Sequence, residues 1–179
     1  MRRVGLLLMG LGLVFLAAAG FLSVKNRTED FCAGAASARI LAGLEEIATS
    51  AEASDSQSCL GHLTIPSLAL ELPVLSEWSY EKLKTAPCRY SGSIEDENLV
   101  LIAHNYRTHF GPIRRLKSGD RVSFEDTDGT VFEYLVTASE VVLPTALEEV
   151  TAGSHDLTLI TCTYGGKSRM VVYCDAAEA

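Results

Sequence analysis

From Leu63 onward the chain is a succession of short apolar runs rich in Val, Ile, Leu, Thr and aromatic residues: "LTIPSLALELPVL", "NLVLIA", "RVSFED", "TVFEYLVTASEVVL", "DLTLIT" and "RMVVY". Gly, Asp, Asn and Pro bound these runs, with turn signals at "KSGD", "DTDG" and "YGGK". Runs of this length and composition read as strands. Short strands in such close succession point to a mainly β domain, a closed or nearly closed β-barrel, and away from βαβ units. One segment, "SEWSYEKLK", reads as a helical interruption crossing the barrel's end. There is no internal repeat and no low-complexity segment.

The other end of the chain has a different character. Val4 to Val24 contains no charged residue and is preceded by Arg2 and Arg3. That stretch matches the ~20 residues a transmembrane helix needs. It exceeds the ~7 to 15 apolar residues of a cleaved signal peptide, although Ala17, Ala18 and Ala19 offer a small-residue cleavage site. An uncleaved anchor over residues 1–24 is therefore expected, with a signal peptide as the alternative. Lys25 and Arg27 follow the stretch as Arg2 and Arg3 precede it, so the flanking charges orient it weakly. Residues 31–53, "FCAGAASARILAGLEEIATSAEA", favour helix and set Ile40, Leu41, Leu44 and Ile47 at helical spacing. This predicts a juxtamembrane helix, followed by a short polar connector, "SDSQS". The expected organisation is an anchor over 1–24, a juxtamembrane helix and connector over 25–62, and one β-barrel domain over 63–179.

The formal charge of the 179 residues is −8, and the leading stretch contributes only arginines, so the exported part is more acidic still. Such a balance argues against nucleic acid as a partner, since phosphate neutralisation calls for Lys and Arg gathered on one face. Acidic clusters stand at Glu95, Asp96 and Glu97, at Glu125, Asp126 and Asp128, and at Glu148 and Glu149. None has the ligand spacing of an EF-hand loop; they read as solvated charge, and no metal or other cofactor is expected. Five cysteines in an exported chain raise the question of disulfides. Cys32, Cys59, Cys88 and Cys174 form a pairable set with three connectivities, and burial as small apolar residues is the alternative.

Cys162 stands apart from these four. In "TLITC" the side chains of Thr158, Ile160 and Cys162 share one strand face. A turn over 163–168 sets Cys162 opposite Arg169 on the next strand, with β-carbons ~4.5 to 5.5 Å apart. A permanently cationic guanidinium there stabilises a thiolate and donates hydrogen bonds to a developing oxyanion. A nucleophilic cysteine also needs an imidazole. His104 ends the run "NLVLIA" and opens the polar loop "HNYRTHFG", a strand-end position suited to function. His109 in that loop is the reserve. His155, seven residues before Cys162 on one extended segment, would lie roughly 23 Å away, and His62 has no reactive neighbour in sequence.

Taken together, "TLITC", the arginine entering the last strand, "AHNYRTHFGPIRRLKSGDRV", "IPSLALELPV" and the amino-terminal apolar stretch resemble the sortase family, exported cysteine transpeptidases of Gram-positive bacteria. The resemblance spans about residues 63–174. It implies an eight-stranded β-barrel in which Cys162 is the nucleophile and His104 and Arg169 are its essential partners. Thr161 and Asn105 would support the site and the substrate. It further implies cleavage of an LPxTG-like carboxy-terminal sorting signal through a thioester, and transfer of the surface protein or pilin to an amine of a peptidoglycan precursor or a pilin lysine. Two departures, the short Cys-to-Arg connection and "AHN" in place of "GH" followed by Arg, bear on subclass. Two alternatives are weighed against this. A cell-wall cysteine endopeptidase of the papain-like kind is disfavoured by chain order, because His104 precedes Cys162 by 58 residues. The other is a non-catalytic surface domain held by disulfides.

Overall fold

The computed structural model describes residues 2–49, 59–152 and 155–177. Eight strands close into a barrel: β1 (Cys59–Ile65), β2 (Leu70–Leu75), β3 (Cys88–Ser91), β4 (Leu99–Ala103), β5 (Arg121–Asp126), β6 (Val131–Val142), β7 (Leu157–Cys162) and β8 (Arg169–Ala176). Their order around the barrel is β1-β2-β3-β4-β7-β8-β6-β5. The β2/β3 and β4/β7 pairs are parallel and the other pairs antiparallel.

Alternation along the strands builds the interior. Leu63, Leu72, Leu101, Phe124, Leu159 and Val172 point inward and are almost wholly buried. A second apolar layer lies on the outer face, where Val100, Ile160 and Val171 pack under Leu147 and Val150. Those two residues belong to the short helix α2 (Leu147–Thr151) in the β6–β7 connection. The run "LTIPSLALELPVL" divides at Pro66. Pro66–Leu68 form a 3-10 turn that Ala69 closes at φ 51°, so one apolar run makes two antiparallel strands. The segment read as a helix, "SEWSYEKLK", forms only a 3-10 turn over Lys82–Lys84.

Before the barrel, one continuous helix, α1, spans Arg2–Thr49. The polar stretch after Val24 contains neither Gly nor Pro, and the helix passes through it without a break. From Leu8 through Lys25 the side chains are exposed, including Phe15, Leu16 and Phe21. The helix is long and apolar enough to cross a membrane by length and composition. Farther on it turns a face to the barrel. Ala33 and Ser37 are buried, and Ile40 packs beside Leu83 and Ala86. The side chains of Leu44 and Ile47, and the connector at 54–58, lie outside the described residues.

The cysteines are free: Cys88 and Cys174 are buried, Cys59 is partly covered and Cys32 is exposed on α1. Burial pushes the Cys88 thiol up to about 11 and the Cys174 thiol up to about 12, so both are inert core residues.

Candidate active site

Strand direction brings several loops to one end of the barrel. β1, β4, β6 and β7 finish there, and β5 and β8 begin there. The β4–β5 connection, the β1–β2 turn and the β7–β8 turn are thus neighbours although they are far apart in sequence.

Register then assembles the site. Cys162 pairs with Arg169 across the antiparallel β7/β8 ladder. On the other side, the parallel β4/β7 ladder pairs Val100 with Thr158, Ile102 with Ile160 and Ala103 with Thr161. The ladder ends there; His104 is the residue after β4, and Cys162 is the residue after Thr161. Period-two alternation puts Cys162 on the face of Thr158 and Ile160. Residues 104, 162 and 169 therefore come to one end of the barrel: Cys162 opposite Arg169 in the β7/β8 ladder, and His104 immediately after β4, the strand beside β7. All three residues are half-buried.

Local bonding fixes this arrangement. Thr161 points to the opposite face, is 3% exposed, and donates from Oγ1 to the carbonyl of Ala103 at 2.8 Å. That bond locks the β4/β7 register immediately below His104 and Cys162. The loop after His104 folds back tightly: the N–H of Phe110 donates to the His104 carbonyl at 3.2 Å, and that of Gly111 to the Tyr106 carbonyl at 2.8 Å. Phe110 is fully buried and anchors the loop. A Cβ at Gly111 would sit 2.5 Å from the Asn105 carbonyl oxygen, so the close return needs glycine. In the β7–β8 turn Gly165 and Gly166 adopt φ of 81° and 70°, and the N–H of Thr163 donates to the Ser168 carbonyl at 3.0 Å. Nη1 of Arg169 donates to the carbonyls of Gly166 and Ser168, at 3.0 and 3.2 Å. The turn itself thus holds the guanidinium.

The electrostatics favour a neutral imidazole. Burial, aided by the Lys84 ammonium, holds His104 below the usual histidine range, and Glu29 opposes them only in part. Its ring packs on Tyr106 with centroids 5.0 Å apart. His109, the reserve candidate, is elsewhere occupied. It is fully buried, with Nε2 3.1 Å from Ser37 Oγ on α1. Ser37 Oγ donates to the Thr85 carbonyl at 2.7 Å, so it accepts from Nε2–H. Burial pushes His109 down to about 4. His155 pairs with Asp175 at 2.8 Å, at the barrel's opposite end, and His62 lies 3.6 Å from Glu125. The acidic turns are also at that opposite end. Asp96 bonds Ser93, and Asp126 accepts the N–H groups of Asp128 and Thr130, so both carboxylates cap their own turns.

A cleft of about 1030 Å³ opens between α1 and this end of the barrel and reaches Cys162, Asn105 and Thr161. Residues 63–177 match the family model of the sortase domain. The chain belongs to the sortase family. It is 34% identical over 114 residues to sortase A of Bacillus anthracis, covering 60% of this chain and 54% of that protein. The chain thus spans about half the length of this curated relative. Among solved structures, sortase C1 of Streptococcus agalactiae superposes with a TM-score of 0.61 at 25% identity, covering 71% of this chain and 72% of that one. Sortase A of Corynebacterium diphtheriae gives 0.60 at 21% identity over 69% and 63% of the two chains, a likeness of fold.

Sequence reasoning missed the bracing that α1 gives to the loop after His104. Asp30 accepts from the N–H of Thr108 at 3.1 Å and from its Oγ1 at 2.9 Å. Gly34 lets the helix approach Thr108 so closely that a Cβ would meet its Cγ2 at 2.9 Å. The polar Asp30 and Ser37 on an alanine-rich helix were the available signal.

Proposed function

We propose that this sortase is a membrane-anchored cysteine transpeptidase, with its anchor over residues 1–24 and its catalytic barrel over 63–179 outside the cell. It cleaves an LPxTG-like sorting signal. The observation that carries the reading is the pairing of Cys162 with Arg169 across β7 and β8, with His104 directly following β4, the strand that flanks β7. Neutral His104 takes the thiol proton as Cys162 Sγ attacks the carbonyl carbon of the threonine. Arg169 donates to the oxygen on which charge develops. The amide C–N bond then breaks, the imidazolium returns its proton to the leaving amine, and a thioester remains on Cys162. A second amine, on a peptidoglycan precursor or a pilin lysine, attacks the thioester; the C–S bond breaks and a new amide forms.

Thr161 acts as a positioning residue through its bond to Ala103, and Asn105, on the cleft wall, contacts substrate. The exposed apolar length of α1 supports the anchor. Cys162→Ala is expected to abolish cleavage of an LPxTG-type peptide, measured by product mass; turnover equal to the parent enzyme refutes the reading.

A further inference from the structure

In a chain of net charge −8, the β4–β5 and β7–β8 loops at the end of the barrel that carries Cys162 are cationic. The β4–β5 connection and the β7–β8 turn, with the first residue of β8, bring Arg107, Arg114, Arg115, Lys117, Lys167 and Arg169, and Asp120 is the one acid among those segments. Asp120 is engaged with the Lys117 N–H. Among the described residues none of these six cations has a carboxylate within 4.0 Å. Three of them, Arg107, Arg114 and Arg115, border the cleft between α1 and the barrel. Arg114 is braced over the Tyr164 ring at 5.2 Å. Phe31, Gly34, Ala35, Ser37, Ala38 and Leu41 form the α1 wall of the cleft, and Glu71 is the acid on its lining.

We propose that this cleft binds the acyl acceptor, and that the acceptor bears an anionic group, carboxylate or phosphate, which Arg107, Arg114 and Arg115 hold while its amine reaches Cys162. The inference rests on the thioester reading above and adds the chemistry of the second substrate. An unpaired guanidinium cluster beside a nucleophile has no use for a donor whose scissile region, Leu, Pro, Thr and Gly, is uncharged. It suits an anion, and the same positive field favours the free-base form of the attacking amine. In the step itself the amine nitrogen bonds to the thioester carbonyl carbon, its proton passes to His104, and Cys162 leaves as thiolate. The anchor helix is then one wall of the acceptor site.

The test uses the full chain in lipid nanodiscs, charged with a donor peptide, and reads by mass how the thioester divides between water and three acceptors: glycylglycine amide, glycylglutamate and phosphoethanolamine. At least one anionic acceptor is expected to be preferred over the amide, and which one identifies the anion. Arg107→Ala with Arg114→Ala should cut that preference roughly fivefold, the size of partly exposed ion pairs, as should high salt. Lys117→Ala, outside the cleft, should leave it unchanged. Equal use of all three acceptors, a preference that survives the double substitution, or an effect confined to the donor's KM overturns the acceptor site alone. Absence of any thioester on Cys162 overturns the transpeptidase reading and the acceptor site with it.

Discussion

At the scale of single residues, the proposed chemistry depends on groups held by short-range bonds. Arg169 keeps its place because the turn carbonyls of Gly166 and Ser168 accept from Nη1. A lysine cannot bond the turn and reach the oxyanion together, because an ammonium lacks the planar fork. Arg169→Lys is expected to lower kcat about 100-fold, the usual loss on removing an oxyanion donor; an unchanged kcat assigns Arg169 to the turn alone. Thr161→Val removes the hydroxyl that donates to the Ala103 carbonyl. A loss of about 1–2 kcal/mol in chemical denaturation is expected, with a lower kcat and little change in KM. Serine, which restores the bond, should recover kcat, and its failure to do so contradicts a positioning role.

Pairing of Cys162 with Arg169 was legible at this scale, because a six-residue turn over 163–168 fixes an antiparallel register. The place of His104 was not: the residue is 58 positions away and meets Cys162 only through the parallel β4/β7 pair, which no local pattern encodes. Its strand-end position before a polar loop marked it as a candidate, and the family resemblance then named it, but its position relative to Cys162 could not be read.

Among the elements, α1 departs most from what its sequence suggested. The composition changes after Val24, which read as a boundary, yet helix propensity persists across the polar residues and no breaker intervenes. Strand β3 escaped notice because "CRYS" is too short to show alternation, and its pairing with β4 is a tertiary effect.

The contact of α1 with the barrel is built around a buried neutral histidine. His109 titrates near 4 when docked and near 6.5 when released. Its folded value is the lower one, so the stabilisation is complete above about pH 6.5 and is lost as pH falls toward 4. Undocking of α1, followed by hydrogen exchange in the 104–111 loop, is expected to increase through that window. In His109→Gln, which bonds Ser37 without titrating, exchange should be nearly independent of pH; a pH dependence equal to the parent's contradicts the assignment.

For the whole molecule, the organising fact is polarity. Cys162, the cationic loops and the packed part of α1 meet at one end of the barrel, and the carboxylates of the β3–β4 and β5–β6 turns lie at the other. On the proposed reading, α1 as an anchor would hold Cys162 close to a membrane surface. The most direct measurement is the intact mass of the full chain, in a Cys32→Ser background that removes the exposed thiol of α1, after mixing with an LPxTG-type peptide. The account predicts a hydroxylamine-sensitive acyl adduct mapped to Cys162 and lost in Cys162→Ala. Cleavage that continues without Cys162, or an adduct on any other residue, would contradict it.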